Sequence, residues 1–336
     1  MAESLQPKPL SIQHVTPKTK FPHQPLVSLK FSFRLRPKPQ KRAQVMEYQA
    51  IKRQILPPST ILITGCSSGI GYDTAHTLHK MGYRVMATCR QQSDVNRLND
   101  EGLTGFQLDL ACNQSIDFAL EQIKLETNGK IDALFNNGAF GLPGAVEDLS
   151  RKAMEFQFQT NVFGTQILTN KVIKLMRQQG HGKVIYNSSI LGFAAMPYRG
   201  AYNASKFAIE GFADTLRLEV KKDNIQVSLI EPGPITSEFR TNAFKQFNRW
   251  INPEDSAHQK NYHAMIKRLE TVDPSAPFTL GPEAVSQCVI HALQKKRAKI
   301  RYRVTLPTVL FAYLKRLLPA RWLDTLLIKA GGDGKR

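Results

Sequence analysis

The chain has 336 residues, 42% of them hydrophobic and 22% charged, an ordinary globular composition with room for one large α/β domain or two small ones. Its four cysteines, Cys66, Cys89, Cys112 and Cys288, form no CxxC and no Cys/His cluster, which argues against a disulfide framework or zinc site and for free thiols in a reducing compartment, the cytoplasm. The net charge of +19 suggests nucleic acid until it is located: residues 1–45 hold nine Lys/Arg against one acid, 293–336 hold twelve against two, and 46–292 hold 25 against 24, so the central body lacks the basic excess of a specific nucleic-acid binder.

Residues 1–45 are rich in Pro and Lys and read as a basic, disordered N-terminal extension. A transit peptide is a sharper reading, but the Pro-Lys pattern would interrupt its amphipathic helix. A start of translation at Met46 is another. The first 20 residues lack the apolar core of a secretory signal, and no apolar run anywhere reaches the roughly 18 residues needed to span a bilayer.

From Ser59 the pattern changes. Thr60–Thr64 is a short apolar β-type run, followed by a glycine-rich turn and a helix over 70–81. Further strands are predicted at Arg84–Cys89, Phe106–Asp109, Ile131–Phe135, Lys183–Asn187 and Ile225–Ile230. Helices are predicted over 113–126, about 150–178, and 201–221. Residues 235–280 break the alternation with aromatics among polar residues. A helix over Pro282–Lys295 and a seventh strand at Lys299–Val304 complete the domain. Strands alternating with helices predict one doubly wound, Rossmann-type α/β domain over 59–305, with a mostly parallel seven-stranded sheet and ligands at the carboxyl ends of its strands. Residues 306–336 read as a basic amphipathic C-terminal extension. It fits a helix packed on the domain or at a subunit contact of a homo-oligomer, and alternatively one lying on a membrane surface.

The turn Gly65-Cys-Ser67-Ser68-Gly69-Ile70-Gly71 joins the first strand to the first helix. Glycines there let a phosphate approach the backbone, and the helix N-terminus offers unpaired N–H groups and the positive dipole end. Arg90 closes the second strand, where an acid would bind a ribose 2′-hydroxyl and an arginine can hold a 2′-phosphate. It therefore favours NADP(H) over NAD(H), a solvated surface arginine being the plain alternative. Tyr202-Asn-Ala-Ser-Lys206 places a phenol and an ammonium one helical turn apart on one face. A phenol ordinarily titrates near 10, too high for proton exchange at neutrality, and a nearby cation lowers that value. Ser188 and Ser189, after the fifth strand, can each hydrogen-bond a substrate oxygen.

TGxxxGxG followed in order by the later motifs resembles the short-chain dehydrogenase/reductase family. The Ala87-Thr-Cys-Arg90 and Glu231-Pro-Gly-Pro-Ile-Thr-Ser-Glu-Phe239 forms look closest to its steroid/retinol-type and aldehyde-reducing members. The resemblance spans about 59–305, and its serine–tyrosine spacing selects Ser189. It implies that Asp109 lies against the adenine, although that residue could equally cap the following helix. Asn137-Gly138-Ala139 stands where the family has Asn-Ala-Gly, both residues remaining small. Pro232, Gly233 and Thr236 resemble the segment beside the nicotinamide, though a plain turn would also explain Pro-Gly.

The implied reduction is hydride transfer to a carbonyl carbon. Ser189 holds the oxygen, Tyr202 donates the proton, and Lys206 lowers the tyrosine's pKa and binds the nicotinamide ribose. Asn161 holds a water in the proton relay, and no metal is involved. Phe140, Leu142, Pro143, Leu191, Phe193, Ala195 and Met196, with the aromatics of 235–270, suggest an apolar pocket and a movable lid, or ordinary core. They favour a hydrophobic aldehyde, ketone or alcohol over a sugar or charged acid. The alternative is a non-catalytic NADP-binding regulatory protein on the same scaffold.

Overall fold

The computed structural model describes residues 54–270 and 277–332, so the basic N-terminal segment 1–45 and Met46 lie outside the described residues. Seven strands form one sheet: β1 (Thr60–Thr64), β2 (Arg84–Cys89), β3 (Thr104–Gln107), β4 (Ala133–Asn136), β5 (Gly182–Asn187), β6 (Ile225–Glu231) and β7 (Arg301–Arg303). Their order is β3-β2-β1-β4-β5-β6-β7, and every pair is parallel. The expected mostly parallel sheet is thus parallel throughout. Helices α1 (Gly69–Lys80), α2 (Gln92–Asp100), α3 (Asn113–Thr127), α4 (Arg151–Phe158), α5 (Thr165–Gln178) and α6 (Gly200–Glu219) connect the first six strands. Helices α7 (Phe239–Trp250) and α8 (Gln259–Glu270) occupy the long irregular stretch. Helix α9 (Glu283–Gln294) precedes β7, and α10 (Leu306–Leu317) and α11 (Ala320–Ala330) follow it.

Alternate side chains of a strand face opposite sides of the sheet. Ile61 and Ile63 of β1 point into one core with Ala75 and Leu78 of α1 and Val285 and Val289 of α9. Leu62 points into the other, with Ile116 of α3, Leu168 of α5 and Ile209 of α6. Helices on both faces explain why the strands read as continuous apolar runs. The chain leaves β1 for β2 in one direction and later resumes at β4 in the other, so the crevice for a ligand opens beyond the carboxyl ends of β1 and β4.

Four departures from the sequence reading have local causes. The third strand ends at Gln107, not Asp109, because its partner β2 ends at Cys89 and the last ladder bond runs from Leu108 N to the Cys89 carbonyl at 2.8 Å. Helix α2 went unpredicted; only Val95 and Leu98 of its nine residues are buried, too few for a clear period. The long helix expected over 150–178 is interrupted by a π-turn at Gln159–Gly164. Gly164 permits that turn, since a Cβ there would collide with the Leu110 backbone. Within the aromatic-rich stretch, Phe239–Trp250 and Gln259–Glu270 form two packed helices: Phe247 and Tyr262 are fully buried with Leu142, Ala145 and Leu149.

Candidate active site

The glycine-rich turn is held against the start of the β4 loop by a set of short bonds. The Thr64 hydroxyl accepts from the backbone N–H of Asn137 (3.0 Å) and of Gly138 (2.9 Å). The Asn137 amide donates to the Thr64 and Gly65 carbonyls, both at 3.0 Å. This stitching leaves no space for side chains: a Cβ on Gly65 would lie 2.7 Å from Gly138 Cα, and one on Gly71 would lie 2.6 Å from Asn137 Nδ2. Gly65 and Gly69 also have positive φ, 71° and 56°. A Cβ at position 138 would meet Leu110 Cδ1 at 3.0 Å, so glycine suits this place and the exchange with Ala139 keeps the approach open. Ser68 is the N-cap of α1 but its side chain caps nothing. With no side-chain cap there, the first-turn N–H groups of α1 stay available to a ligand. A narrow, side-chain-free cradle at a helix N-terminus has the chemistry of a dinucleotide phosphate site.

Around this cradle the predicted residues fall as follows. Arg90 is exposed just beyond β2. Asp109 lies two residues past β3 and accepts from the Ala111 N–H at 2.9 Å, so it is not the cap of α3, whose N-cap is Cys112. Gly233 lies against Thr305, and the Pro232 carbonyl accepts from Ile190 N at 2.8 Å, tying this segment to the loop after β5. Thr236 is exposed and donates its N–H to the Leu280 carbonyl at 2.9 Å. Arg97 was missed: its guanidinium donates to the Ser67 carbonyl at 2.6 Å and lies 5.4 Å over the Tyr72 ring, adding a second cation beside the turn.

The proposed reacting groups come together at the other end of the crevice. Tyr202 and Lys206 project from one face of α6, and both are buried. Ser189 caps the short turn after β5, its hydroxyl accepting from Leu191 N at 3.1 Å, and it lies close enough to the Tyr202 phenol to act on its titration. The Lys206 ammonium donates to the Asn187 carbonyl at 2.7 Å and lies 5.7 Å from the Tyr202 ring centroid. Burial pushes the Tyr202 phenol above its ordinary value, and the Ser189 hydroxyl is the group that draws it back. The Lys206 ammonium, bonded to that backbone carbonyl, lies over the ring of the same phenol. Burial lowers Lys206 itself to about 8, and the Glu210 carboxylate pulls it upward again.

Asn161 is buried in the π-turn rather than capping or facing solvent. Its Nδ2 donates to the Phe140 carbonyl (2.9 Å) and the Ser205 hydroxyl (3.2 Å), and its Oδ1 accepts from Phe140 N (3.1 Å). Ser205 in turn donates to the Tyr202 carbonyl at 2.8 Å. Asn161 therefore fastens the loop after β4 to the helix that carries Tyr202, with both amide hydrogens engaged.

Two further residues belong to the site. Glu210 continues the Tyr202–Lys206 face one more turn along α6, a spacing visible in the sequence. It pairs with Arg301 at 2.9 Å, and Arg301 also holds Asp214 (2.6 Å) and the buried Glu231 (2.9 Å). Phe239 meets Tyr202 edge-on at a centroid distance of 5.2 Å and fills the space a Cβ on Gly141 would need. Its contact spans some 37 positions of sequence, so no local pattern signals it.

The chain matches the family described as short chain dehydrogenase over residues 59–248. It is 41% identical over 268 residues to an uncharacterised oxidoreductase, YbbO, of Escherichia coli K12, covering 80% of this chain and 93% of that protein. It is 32% identical over 254 residues to human retinol dehydrogenase 8, covering 73% and 80% respectively. A short chain dehydrogenase/reductase of Burkholderia phymatum, solved in complex with NAD, superposes with a TM-score of 0.65 at 22% identity, covering 78% of this chain and 93% of that one.

Proposed function

The chain belongs to the short chain dehydrogenase family of nicotinamide-dependent oxidoreductases acting on CH–OH groups, and from that premise we propose that it interconverts a hydrophobic aldehyde or ketone and its alcohol with NADP(H). The observation that carries the reading is the Ser189–Tyr202 hydroxyl pair, buried over Lys206 at the end of a crevice whose other end is the glycine cradle.

The cofactor fits the residues present. The Gly65–Gly71 turn, with Ser67, Ser68, Gly69 and Ile70, would take the pyrophosphate, and Asn137 and Gly138 allow the close approach. Asp109 would meet the adenine, Tyr202 and Lys206 the nicotinamide ribose, and Pro232, Gly233 and Thr236 the nicotinamide side. When bound, the nicotinamide supplies or accepts the hydride. The protein's part is to place and move a proton. Ser189 holds the substrate oxygen and stabilises charge developing on it. Tyr202, protonated at neutral pH, donates its proton to that oxygen. The Lys206 ammonium stabilises the phenolate left behind, and Asn161 holds the Tyr202 helix in register with the loop after β4. Oxidation of the alcohol is the reverse path.

Arg90, exposed at the end of β2, and Arg97, beside Ser67, support a 2′-phosphate and hence NADP(H). An apolar substrate is supported by the surroundings of Tyr202: Ile190, Leu191 and Ala194 pack with it, Phe193 and Met196 flank them, and Phe239 lies against the ring. The name of the retinol-directed relative points the same way. The test is a panel of apolar aldehydes and ketones beside sugars and charged keto acids, run with NADPH and with NADH. Preference for apolar carbonyls with NADPH, reduced in Arg90→Ala and Arg97→Ala, supports the reading. Equal use of the two cofactors would remove the role given to the arginines.

A further inference from the structure

Helix α10 turns only one side to the protein. Thr308, Phe311 and Ala312 are buried. Leu306, Leu310, Tyr313 and Leu317, which recur at the spacing of one helical face, are 62%, 51%, 56% and 75% exposed. Helix α11 repeats the arrangement. Leu327 is buried and Leu323 and Ala330 pack inward, while Trp322, Leu326 and Ile328 remain exposed. Phe207, exposed on α6, continues the apolar surface under the Lys315 ammonium, which lies 5.1 Å over its ring. The charges on this helix pair are nearly all of one sign: Lys315, Arg316, Arg321 and Lys329 against Asp324.

We propose that the outer face of α10 and α11 is a docking surface for an anionic phospholipid bilayer, lying in the headgroup plane with its leucines and Trp322 among the acyl chains. Two helices joined at Pro319, each presenting leucines and an aromatic outward beside basic side chains, have the makeup of an interfacial segment. Neither could span: twelve residues of α-helix rise about 18 Å against a hydrocarbon core of about 30 Å, and no helix among the described residues is long and apolar enough to cross. The charges select lipid over a second copy of the chain. A two-fold contact through this face would bring Arg316, Arg321 and Lys329 against their own copies, whereas interface cores are depleted of charge. Acidic headgroups neutralise the same residues.

The placement has a consequence that rests on the proposed function. The inward side chains Phe311 and Leu327 belong to the same cluster as Ile190, Leu191 and Tyr202, so the lipid-facing helices pack against the residues that surround the catalytic phenol. An apolar substrate dissolved in the bilayer would then reach the site beside these helices.

The test uses the full chain in vesicle flotation, with phosphatidylcholine alone and with phosphatidylcholine mixed with phosphatidylglycerol. Wild type should float with the anionic vesicles. The variant L310E/L317E/W322E should stay at the bottom with an unchanged melting temperature, because all three side chains are exposed. R316Q/R321Q/K329Q should bind the anionic vesicles roughly 100-fold more weakly. Residues 1–45 are intact in each variant, so flotation equal to wild type in both would assign binding elsewhere and overturn the proposal. A wild type that floats with neither vesicle would overturn it, as would one whose dimer, not its flotation, is lost in L310E/L317E/W322E. None of these readouts requires turnover, so they stand or fall apart from the catalytic reading.

Discussion

Replacing Gly71 by alanine adds one methyl group at the tightest point of the glycine cradle. The new carbon would fall inside the contact radius of the Gly65 carbonyl oxygen, 2.6 Å from Asn137 Nδ2 and 2.8 Å from the Gly65 carbonyl carbon. None of these can retreat freely. Asn137 Nδ2 is already bonded to two carbonyls at 3.0 Å, and Gly65 is held between Thr64 and Gly138. Forcing a methyl into a packed site costs about 1–3 kcal/mol, which for a domain of this size lowers the melting temperature by roughly 2–10 °C. Opening the Asn137 contacts also displaces the β1 and β4 loops that form the floor of the cofactor crevice. NADPH should therefore bind at least about tenfold more weakly, equivalent to ~1.4 kcal/mol. Gly211→Ala is the control. It lies on α6 with nothing within 4 Å of its added Cβ, and glycine inside a helix is worse than alanine by about 0.5–1 kcal/mol, so this variant should melt higher and bind cofactor unchanged. Fluorescence titration with NADPH and thermal unfolding of both variants give the comparison. Wild-type affinity in Gly71→Ala would refute the assignment of this turn to the phosphates.

Lys206 at about 8 sets the upper limb of the reduction profile: above that pH the lysine loses the charge that supports the departing proton, and the rate falls. Glu210→Gln removes the carboxylate that raises Lys206, so the limb should move to lower pH in NADPH-consumption assays. An unmoved limb would exclude the coupling. Lys183 is buried in β5 and donates to three carbonyls near the end of α9, those of Ala292, Leu293 and Lys295, at 2.7, 2.8 and 2.6 Å. Lys183→Met leaves those acceptors without their donor and should cost about 3 kcal/mol or more in a denaturant titration, with NADPH affinity retained. Burial lowers Lys183 to about 8, so the folded state binds fewer protons than the unfolded one between about 8 and 10.4. Its contribution to wild-type stability therefore rises with pH across that window and is flat below it.

The apolar runs and the helices between them were enough to read the doubly wound sheet and its seven strands. Residues 61–63 and 85–87 are continuous apolar stretches whose side chains alternate between the two cores. The π-turn was not readable, because the hydrophobic period of 150–178 continues through it. What makes the turn is Gly164 packing on Leu110 and Asn161 reaching Phe140, both tertiary contacts. The positions of Ser189, Tyr202 and Lys206 followed from spacing along a strand end and a helix face. Their electrostatics did not, since burial and the Asn187 carbonyl decide where the lysine's charge points. Glu210 was within reach of the same periodic argument that found Lys206. Arg97 and Phe239 were not, each meeting its partner only once the chain has folded.

The most direct test of the account is Tyr202→Phe. It removes one hydroxyl from a buried ring whose other contacts, with Phe239 and Lys206, are made by the ring face and edge. With an apolar aldehyde that wild type reduces, the account predicts that the variant keeps its fold and binds NADPH within a few-fold of wild type. Its kcat for cofactor oxidation should fall by a factor on the order of 10² to 10⁴, the usual contribution of a positioned proton donor. Turnover equal to wild type would contradict the claim that the Tyr202 phenol delivers the proton.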